Sequence, residues 1–167
     1  MRPIVVRGGG DLATGTIHRL GRSGYPVVIL ETDRPSAIRR LVAFSQAVYD
    51  GETEVEGMVC KRAESAEEAL TAAAPMSPVL LVDPACSSLA ILQPEILIDG
   101  ILAKRNLGTR RDMAELTIAL GPGFEAGRDV DYVVETKRGH YLGRILKTGC
   151  AIANTGVPGM IGGYGKE

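Results

Sequence analysis

The chain has 167 residues, a formal net charge of −1 and 45% hydrophobic residues. This length is typical of one domain with its own core, and the balanced charge excludes a generally basic nucleic-acid-binding protein. No segment approaches the roughly 18 consecutive apolar residues of a membrane span, and the first residues do not resemble a signal peptide. The three cysteines form no Cys-x-x-Cys pair, so a reduced, cytoplasmic protein is expected. From the charge and the absence of long apolar runs, neither nucleic-acid nor membrane partners are expected.

The N-terminal segment predicts a βαβ unit. A β-branched run at residues 4–7 stops at the glycines of residues 8–10, and apolar residues at helical spacing follow Asp11. A second apolar run at residues 26–30 is closed by Glu31. Because both runs are continuous rather than alternating, they are typical of a parallel sheet that is covered on both faces.

Strands and helices continue to alternate up to about residue 108. Helices are predicted at 35–42 and 65–74, and a Ser-x-x-Glu capping box opens the second. Between them, residues 43–63 are predicted to be extended, with a turn at Asp50-Gly51. Strands are predicted at 78–82 and 95–98. Later strands are predicted at 116–120, 131–136 and 143–147, and residues 154–165 are predicted to be irregular.

The predicted fold class is therefore α/β. Residues 1–108 are expected to form a Rossmann-like parallel sheet with helices on both faces. Residues 109–167 are expected to form a smaller β-rich subdomain, with a soft boundary at 108–112.

The strongest functional motif is the glycine-rich turn after the first strand. In such motifs the first glycine, Gly8, allows a tight turn, Gly10 lets a phosphate approach the backbone, and Gly15 packs the helix against the strand. The start of the following helix favours an anion. Gly9 and Asp11 complete the predicted binding loop. The spacing departs from Gly-x-Gly-x-x-Gly, however, and the Asp11 carboxylate would repel a pyrophosphate, so a purely structural turn is the alternative.

Acidic residues follow three predicted strands. Glu31 lies 21 residues after Gly10, where a ribose-binding acid is expected in dinucleotide-binding units. Asp83 and Asp99 each end a strand, and carboxyl ends of parallel strands face the ligand crevice. We therefore expect Glu31 and Asp83 to bind a nucleotide-like cofactor and Asp99 to act in catalysis. Asp83 precedes a proline, and its alternative role is that of a turn former.

Two cationic segments are further candidates for the site. Lys104, a candidate catalytic residue, stands in a cluster with Arg105, Arg110 and Arg111 that suits a phosphate or pterin-phosphate group, with solvated surface charge as the alternative.

A turn between two strands carries Arg138, Gly139 and His140. It offers a guanidinium for an anion and an imidazole for proton transfer, with an ordinary exposed turn as the alternative. His18 is expected to be structural. Cys86 is the thiol best placed for reactivity, but it is expected to be buried and unreactive. No metal site is expected, because neither histidine has a partner at metal-ligand spacing.

Several strings across the chain resemble the YqeB-type selenium-dependent molybdenum-hydroxylase system proteins, a family of accessory factors. They are Val-Arg-Gly-Gly-Gly-Asp-Leu-Ala-Thr-Gly at 6–15, the segments 37–40 and 42–45, Ile-Asp-Gly-Ile-Leu-Ala-Lys-Arg-Asn at 98–106, Leu-Gly-Pro-Gly-Phe at 120–124, Glu-Thr-Lys-Arg-Gly-His-Tyr-Leu-Gly-Arg at 135–144 and Asn-Thr-Gly-Val-Pro-Gly at 154–159. The N-terminal string is also similar, less specifically, to XdhC-type molybdenum-cofactor insertion chaperones.

The resemblance implies a role in maturing a molybdenum hydroxylase by cofactor insertion or selenium loading. The ligand would be a nucleotide, NAD(P) or a molybdopterin-type cofactor held at residues 8–15, and the protein partner would be a hydroxylase subunit. Family members are expected to continue beyond residue 167 into a small β domain similar to biotinyl or lipoyl carriers.

Two other classes of function stay open. A small NAD(P)-dependent oxidoreductase would need a proton donor near the nicotinamide, and no Tyr-x-x-x-Lys pair is present. A non-catalytic module that docks on a hydroxylase subunit needs no such donor. Whether the chain catalyses a reaction, and whether it forms a homodimer, are left open by the sequence.

Overall fold

The structure is a computed structural model that describes residues 1–153. Its strands are β1 (Ile4–Arg7), β2 (Val27–Glu31), β3 (Glu52–Val55), β4 (Met58–Ala63), β5 (Val79–Val82), β6 (Ile96–Asp99), β7 (Leu116–Leu120), β8 (Glu125–Ala126), β9 (Tyr132–Val134), β10 (Ile145–Leu146) and β11 (Gly149–Cys150). Its helices are α1 (Asp11–Arg22), α2 (Ala47–Asp50), α3 (Ala66–Ala72) and α4 (Leu89–Leu92). Short 3₁₀ turns lie at Arg40–Val42, Phe44–Gln46 and Arg111–Met113.

Nine strands form one sheet in the order β10-β9-β7-β6-β1-β2-β5-β4-β3, and β8 pairs with β11 in a separate two-stranded sheet. All neighbours from β4 across to β9 are parallel. Only the outermost strands β3 and β10 pair antiparallel with their neighbours. The predicted α/β class with a mostly parallel sheet is confirmed.

The two faces of the sheet bury alternate residues of its strands. In β1, Val6 packs with α1 and α2 on one face, whereas Val5 packs with α3 and α4 on the other. Both valines are fully buried. Because strand side chains alternate between faces, a strand covered on both sides must be apolar throughout, as the sequence predicted.

The order of the strands reverses direction next to β1. The chain runs from β1 outward through β2 to one side, and β6 then returns to the opposite side of β1. In open parallel sheets such a reversal leaves a crevice outside the carboxyl ends of the two strands. Here the crevice lies where β1 runs into residues 8–10 and β6 runs into residues 100–102.

The predicted helix at 35–42 is wrong. Only Arg40–Val42 forms a 3₁₀ turn, and the rest of the segment has no regular structure. Ile38 and Leu41 are 96% and 91% exposed, so the segment has no buried apolar face. An isolated helix of this length is unstable without such a face.

The predicted extended stretch at 43–63 is correct only in its second half. Its first half forms a 3₁₀ turn and α2, because Phe44, Ala47 and Val48 bury a helically spaced apolar face against the sheet. The hairpin between β3 and β4 turns at residues 56–57 rather than at Asp50-Gly51. The predicted N-cap of α3 is confirmed, since the Ser65 hydroxyl accepts a hydrogen bond from the Glu68 N–H at 3.1 Å.

The described strands on either side of residues 108–112 belong to the same sheet, because β6 and β7 pair side by side. The described part of the predicted β-rich region adds β7, β9 and β10 to that sheet and forms the β8–β11 pair beside it. The division into two domains at this position stays a prediction.

The string at 154–159 and the predicted irregular stretch lie outside the described residues. Within residues 1–153, no helix is long and apolar enough to cross a membrane.

Asp131, just before β9, links this end of the sheet to β7 and to the 3₁₀ turn at Arg111–Met113. One of its carboxylate oxygens accepts hydrogen bonds from the N–H and the hydroxyl of Thr117, both at 2.9 Å, and Arg111 donates to the other oxygen. Burial raises the pKa of Asp131, but the hydrogen bonds from Thr117 and Arg111 outweigh burial and hold the pKa below its ordinary value.

We expect Asp131→Asn to lower the free energy of unfolding at neutral pH. A carboxylate with a depressed pKa stabilises the fold above the ordinary aspartate pKa of 3.8, and this contribution disappears as the pH falls through the lower pKa of the folded state. The difference between wild type and variant should therefore shrink in acid, as measured by denaturant titration at several pH values. Asp112→Asn is the control, since this side chain is 73% exposed in its pair with Arg110. A constant difference across the acid range would contradict this role.

Candidate functional site

A cavity of about 600 Å³ lies in the crevice at the carboxyl ends of β1, β2 and β6. Its walls come from the glycine turn, from the start of α1, from residues 100–102 after β6 and from the loop at 32–39. Of the residues predicted to bind a cofactor, Gly8, Gly10, Asp11 and Glu31 line it. The structure therefore brings these four residues together at the point where the sheet topology predicts a ligand.

Gly8 forms the tight turn that the sequence predicted. Its φ is +89°, a conformation that side chains disfavour, and an added Cβ would lie 3.1 Å from the Ile101 Cα. Gly9 is held against the 3₁₀ turn at Phe44–Gln46, since its carbonyl accepts a hydrogen bond from the Ser45 N–H at 2.8 Å and a Cβ would lie 3.0 Å from the Ser45 nitrogen. Both glycines are thus required by backbone packing.

Gly10 differs from Gly8 and Gly9 in what requires a glycine. It is the N-cap of α1 with an ordinary φ of −63°, and an added Cβ would meet no atom within 4 Å. Neither backbone conformation nor packing requires glycine here. Gly10 lines the cavity at the positive end of a 12-residue helix, where no side chain caps the helix. A ligand anion there would meet free backbone N–H groups.

The Glu31 carboxylate is fixed against the glycine turn. One oxygen accepts a hydrogen bond from the Gly9 N–H at 2.7 Å, and the other accepts from the Thr32 N–H at 2.8 Å. Each carboxylate oxygen can accept a second hydrogen bond. The side chain therefore stands in one position on the cavity wall and keeps acceptor capacity for a hydroxyl donor.

The predicted packing role of Gly15 is wrong. Gly15 is exposed, and an added Cβ would meet no atom within 4 Å. Close packing against α1 comes instead from Gly100, where a Cβ would lie 3.0 Å from the Ala13 Cβ, and from Gly21, where it would lie 2.7 Å from the Met58 Cε. Gly15 lines a second cavity of about 470 Å³ beside the first, so its predicted role toward a ligand stays a prediction.

Asp11 forms an ion pair with Arg39, and both residues line the first and the second cavity. The Asp11 side chain is 26% exposed and that of Arg39 is 65% exposed. The expected repulsion between Asp11 and an anion is thus partly compensated by the guanidinium. Arg34 lines the same cavity from the loop at 32–39. Neither arginine was among the predicted site residues, and Arg39 fell within the helix predicted at 35–42.

Asp99 lines neither the first nor the second cavity. Its side chain is 1% exposed and lies 3.6 Å from the Arg7 guanidinium, its neighbour on β1. The carboxylate also accepts hydrogen bonds from the Thr109 hydroxyl and from the Ile101 N–H. Arg7 donates to Thr109 and to the Pro84 and Leu107 carbonyls. This buried network supports the loop after β6, and a catalytic role of Asp99 stays a prediction.

Asp83 binds its own loop. Its two oxygens accept hydrogen bonds from the Ser87 and Ser88 N–H groups at 3.0 and 2.7 Å. Burial raises the pKa of Asp83, but the hydrogen bonds from Ser88 and Ser87 outweigh it and hold the pKa below its ordinary value. This geometry is that of the turn former considered as the alternative. Cys86 in the same loop is buried, and burial raises its pKa, as expected for an unreactive thiol.

The cationic cluster around Lys104 does not converge on one point. Arg110 pairs with Asp112, and Arg111 pairs with Asp131. Lys104 is exposed and lies two residues after Leu102, which lines the first cavity. Its assignment to a phosphate group stays a prediction.

The segment with Arg138 and His140 forms the predicted turn between two strands, β9 and β10. Both side chains are exposed, and neither lines any of the cavities described here. Their roles in catalysis or binding stay predictions. No group of three or more His, Cys, Asp or Glu side chains within residues 1–153 is arranged to hold a metal ion.

Comparison with known proteins finds a relative of this chain. The chain is 52% identical over 161 residues to the "Uncharacterized protein YqeB" of Escherichia coli (strain K12). The predicted resemblance to YqeB is confirmed. The match covers 96% of this chain but only 30% of the length of YqeB, so it relates the chain to a part of that protein. No protein-family model matches the chain, and no solved structure matches it.

Proposed function

We propose that this chain binds a phosphate-bearing, nucleotide-type ligand in the cavity between β1 and β6. The observation that carries the proposal is Gly10, whose missing side chain leaves the positive end of α1 open to the cavity although the fold does not require glycine there. The cavity volume of about 600 Å³ suits a small-molecule ligand. A phosphate would accept hydrogen bonds from the N–H groups at the start of α1.

Glu31 supports the nucleotide class within this proposal. Its fixed carboxylate stands beside the glycine turn and offers acceptors to a pair of ribose hydroxyls. A nucleotide, NAD(P) and a molybdopterin nucleotide all carry a phosphate, so the glycine turn alone does not distinguish them. Calorimetric titration with ADP, NAD, NADP, FAD and a molybdopterin nucleotide tests the proposal, and absence of binding to all five would overturn it.

The cavity favours binding over hydride transfer. Its described lining contains no Tyr, His, Lys or Cys, and Asp11 and Glu31 are its acids. Both carboxylates already accept hydrogen bonds or pair with a cation. A small dehydrogenase would need a proton donor close to the substrate, so we propose binding rather than hydride transfer for this cavity.

We expect Glu31→Ala to weaken a ribose-containing ligand by about 1–3 kcal/mol, the range for hydrogen bonds to charged groups. Wild type should prefer NAD to NADP, because a carboxylate repels a 2′-phosphate. Glu31→Gln keeps an acceptor for the Gly9 N–H and separates loop support from ligand binding, and Asp112→Ala, at an exposed carboxylate outside the lining, is the control. Equal affinity of wild type and both Glu31 variants for NAD would remove this residue from the site.

We further propose that the protein is an accessory factor in the maturation of a molybdenum hydroxylase, by cofactor insertion or selenium loading, and that it docks on a hydroxylase subunit. The resemblance of its sequence strings to YqeB-type accessory proteins supports this role. The chain spans about 30% of the length of YqeB. The proposed maturation role is therefore a role of the whole protein, to which this part would contribute ligand binding.

The turn with Arg138 and His140 offers a test of this second proposal. Both side chains are exposed, so Arg138→Ala and His140→Ala should each change the free energy of unfolding by no more than about 0.5 kcal/mol. We expect the double variant to lower the activity of the hydroxylase matured in cells that carry only this variant. Arg22→Ala, at an exposed position on α1, is the control. Full hydroxylase activity with the double variant would make this segment an ordinary turn.

A further inference from the structure

We propose that Arg39 is a phosphate-binding residue whose guanidinium pairs with Asp11 in the absence of ligand. A ligand with a dianionic phosphate or a pyrophosphate displaces the Asp11 carboxylate from Arg39. This inference rests on the proposed function of the same cavity and adds its selectivity. The structural basis is the Asp11–Arg39 ion pair, which lies in the lining shared by the two adjoining cavities beside the start of α1.

The position of Asp11 is one that an anion prefers. It is the first residue of α1, and a carboxylate there interacts favourably with the unpaired N–H groups and the positive end of the helix. The neighbouring Gly10 leaves the same helix end open to the cavity. A ligand phosphate that binds at this end therefore meets the Asp11 carboxylate as a competitor for the same cation and for the same helix terminus.

Arg39 is the cation of the loop that pairs with a carboxylate of the cavity lining. Its side chain is 65% exposed, and the backbone of residues 35–39 belongs to no helix or strand. The next residue, Arg40, does not line the cavities, donates to the Gln46 side chain at 2.8 Å and stacks over the Tyr49 ring at 5.2 Å. Arg39 can thus move from Asp11 to a ligand while the anchor at Arg40 stays in place.

The charges that face the cavity explain the selectivity. Asp11 and Glu31 supply two carboxylates, and Arg34 and Arg39 supply two guanidinium groups. The Glu31 oxygens are held by backbone N–H groups, so Asp11 is the carboxylate that a ligand must replace. A group with two negative charges, such as a terminal phosphate or a pyrophosphate, recovers more from Arg39 and the helix end than a monoanion does. A nucleoside without phosphate recovers nothing from either.

Calorimetric titration of wild type, Asp11→Asn, Arg39→Ala and the double variant with inorganic pyrophosphate and with ADP tests the inference. Asp11→Asn should bind both probes about two- to fivefold more tightly, because the ion pair that it removes is exposed and weak. Arg39→Ala should bind them about tenfold more weakly, since a charge-assisted contact is lost. In the Arg39→Ala background, Asp11→Asn should gain less than it gains alone, because no cation is left to be released.

Two matched variants control for net charge. Asp112→Asn and Arg22→Ala change the same charges at exposed positions outside the lining of the cavities, and they should leave both affinities unchanged. If wild type binds ADP but Asp11→Asn binds it equally or more weakly, the competition is absent and the proposed binding site remains. If wild type and Asp11→Asn bind neither probe, both the inference and the proposed function fail.

Discussion

Replacement of Asp99 by alanine is expected to lower the free energy of unfolding by about 3–5 kcal/mol, the cost of leaving a buried guanidinium without its carboxylate. The Arg7 side chain would keep its hydrogen bonds to Thr109 and to two carbonyls, but its charge would stay at 5% exposure without an anion. The measurement is chemical denaturation at neutral pH. The loop at 100–102 would also lose a hydrogen bond, since the Ile101 N–H donates to Asp99.

A double variant separates the pair from its surroundings. Asp99→Leu combined with Arg7→Met removes both charges, and we expect it to recover most of the stability that Asp99→Ala loses, because apolar replacement of a buried ion pair is often close to neutral. Asp83→Ala is the comparison at a half-buried carboxylate that only closes a turn, with an expected loss of about 1 kcal/mol. A loss below 1 kcal/mol for Asp99→Ala would show that water reaches Arg7.

Gly10→Val is expected to weaken binding of ADP or NAD at least about 100-fold while the fold is kept. The valine side chain would project into the space at the start of α1 that we assign to the phosphate. Its cost to stability should be about 1 kcal/mol, since valine is a poor N-cap. Calorimetric titration gives the affinity, and thermal unfolding gives the stability. Gly10→Ala should show an intermediate loss of affinity.

Gly8→Val serves as the opposite case. At a φ of +89° and with the Ile101 backbone 3.1 Å from an added Cβ, this variant should lose stability by at least about 1–3 kcal/mol. Substitution of Gly8 is thus predicted to affect folding, whereas substitution of Gly10 is predicted to affect ligand binding. If Gly10→Val binds ADP and NAD as tightly as wild type, the glycine turn is structural and the proposed function loses its main support.

The sequence by itself determined the features that depend on neighbouring residues. Continuous apolar runs predicted β1, β2, β5 and β6, and the glycine pattern after the first run predicted the tight turn at Gly8. The place of Glu31 beside that turn also followed from the sequence, because a βαβ unit brings the carboxyl ends of its two parallel strands together. In each case the signal is carried by residues within one or two adjoining elements.

Other features were decided only by the tertiary structure. A glycine pattern does not say which glycine serves the backbone and which serves a ligand, and the difference between Gly10 and Gly9 depends on Ser45, which lies more than thirty residues away in the chain. The burial of Asp99 depends on Arg7 and Thr109, which reach it from two other parts of the fold. Arg34 and Arg39 line the cavity from a loop whose apolar residue Ile38 stays exposed, so the helix predicted at 35–42 does not form. Contacts between distant segments set the surroundings of a polar side chain, and those surroundings decide whether it faces a ligand or supports the fold.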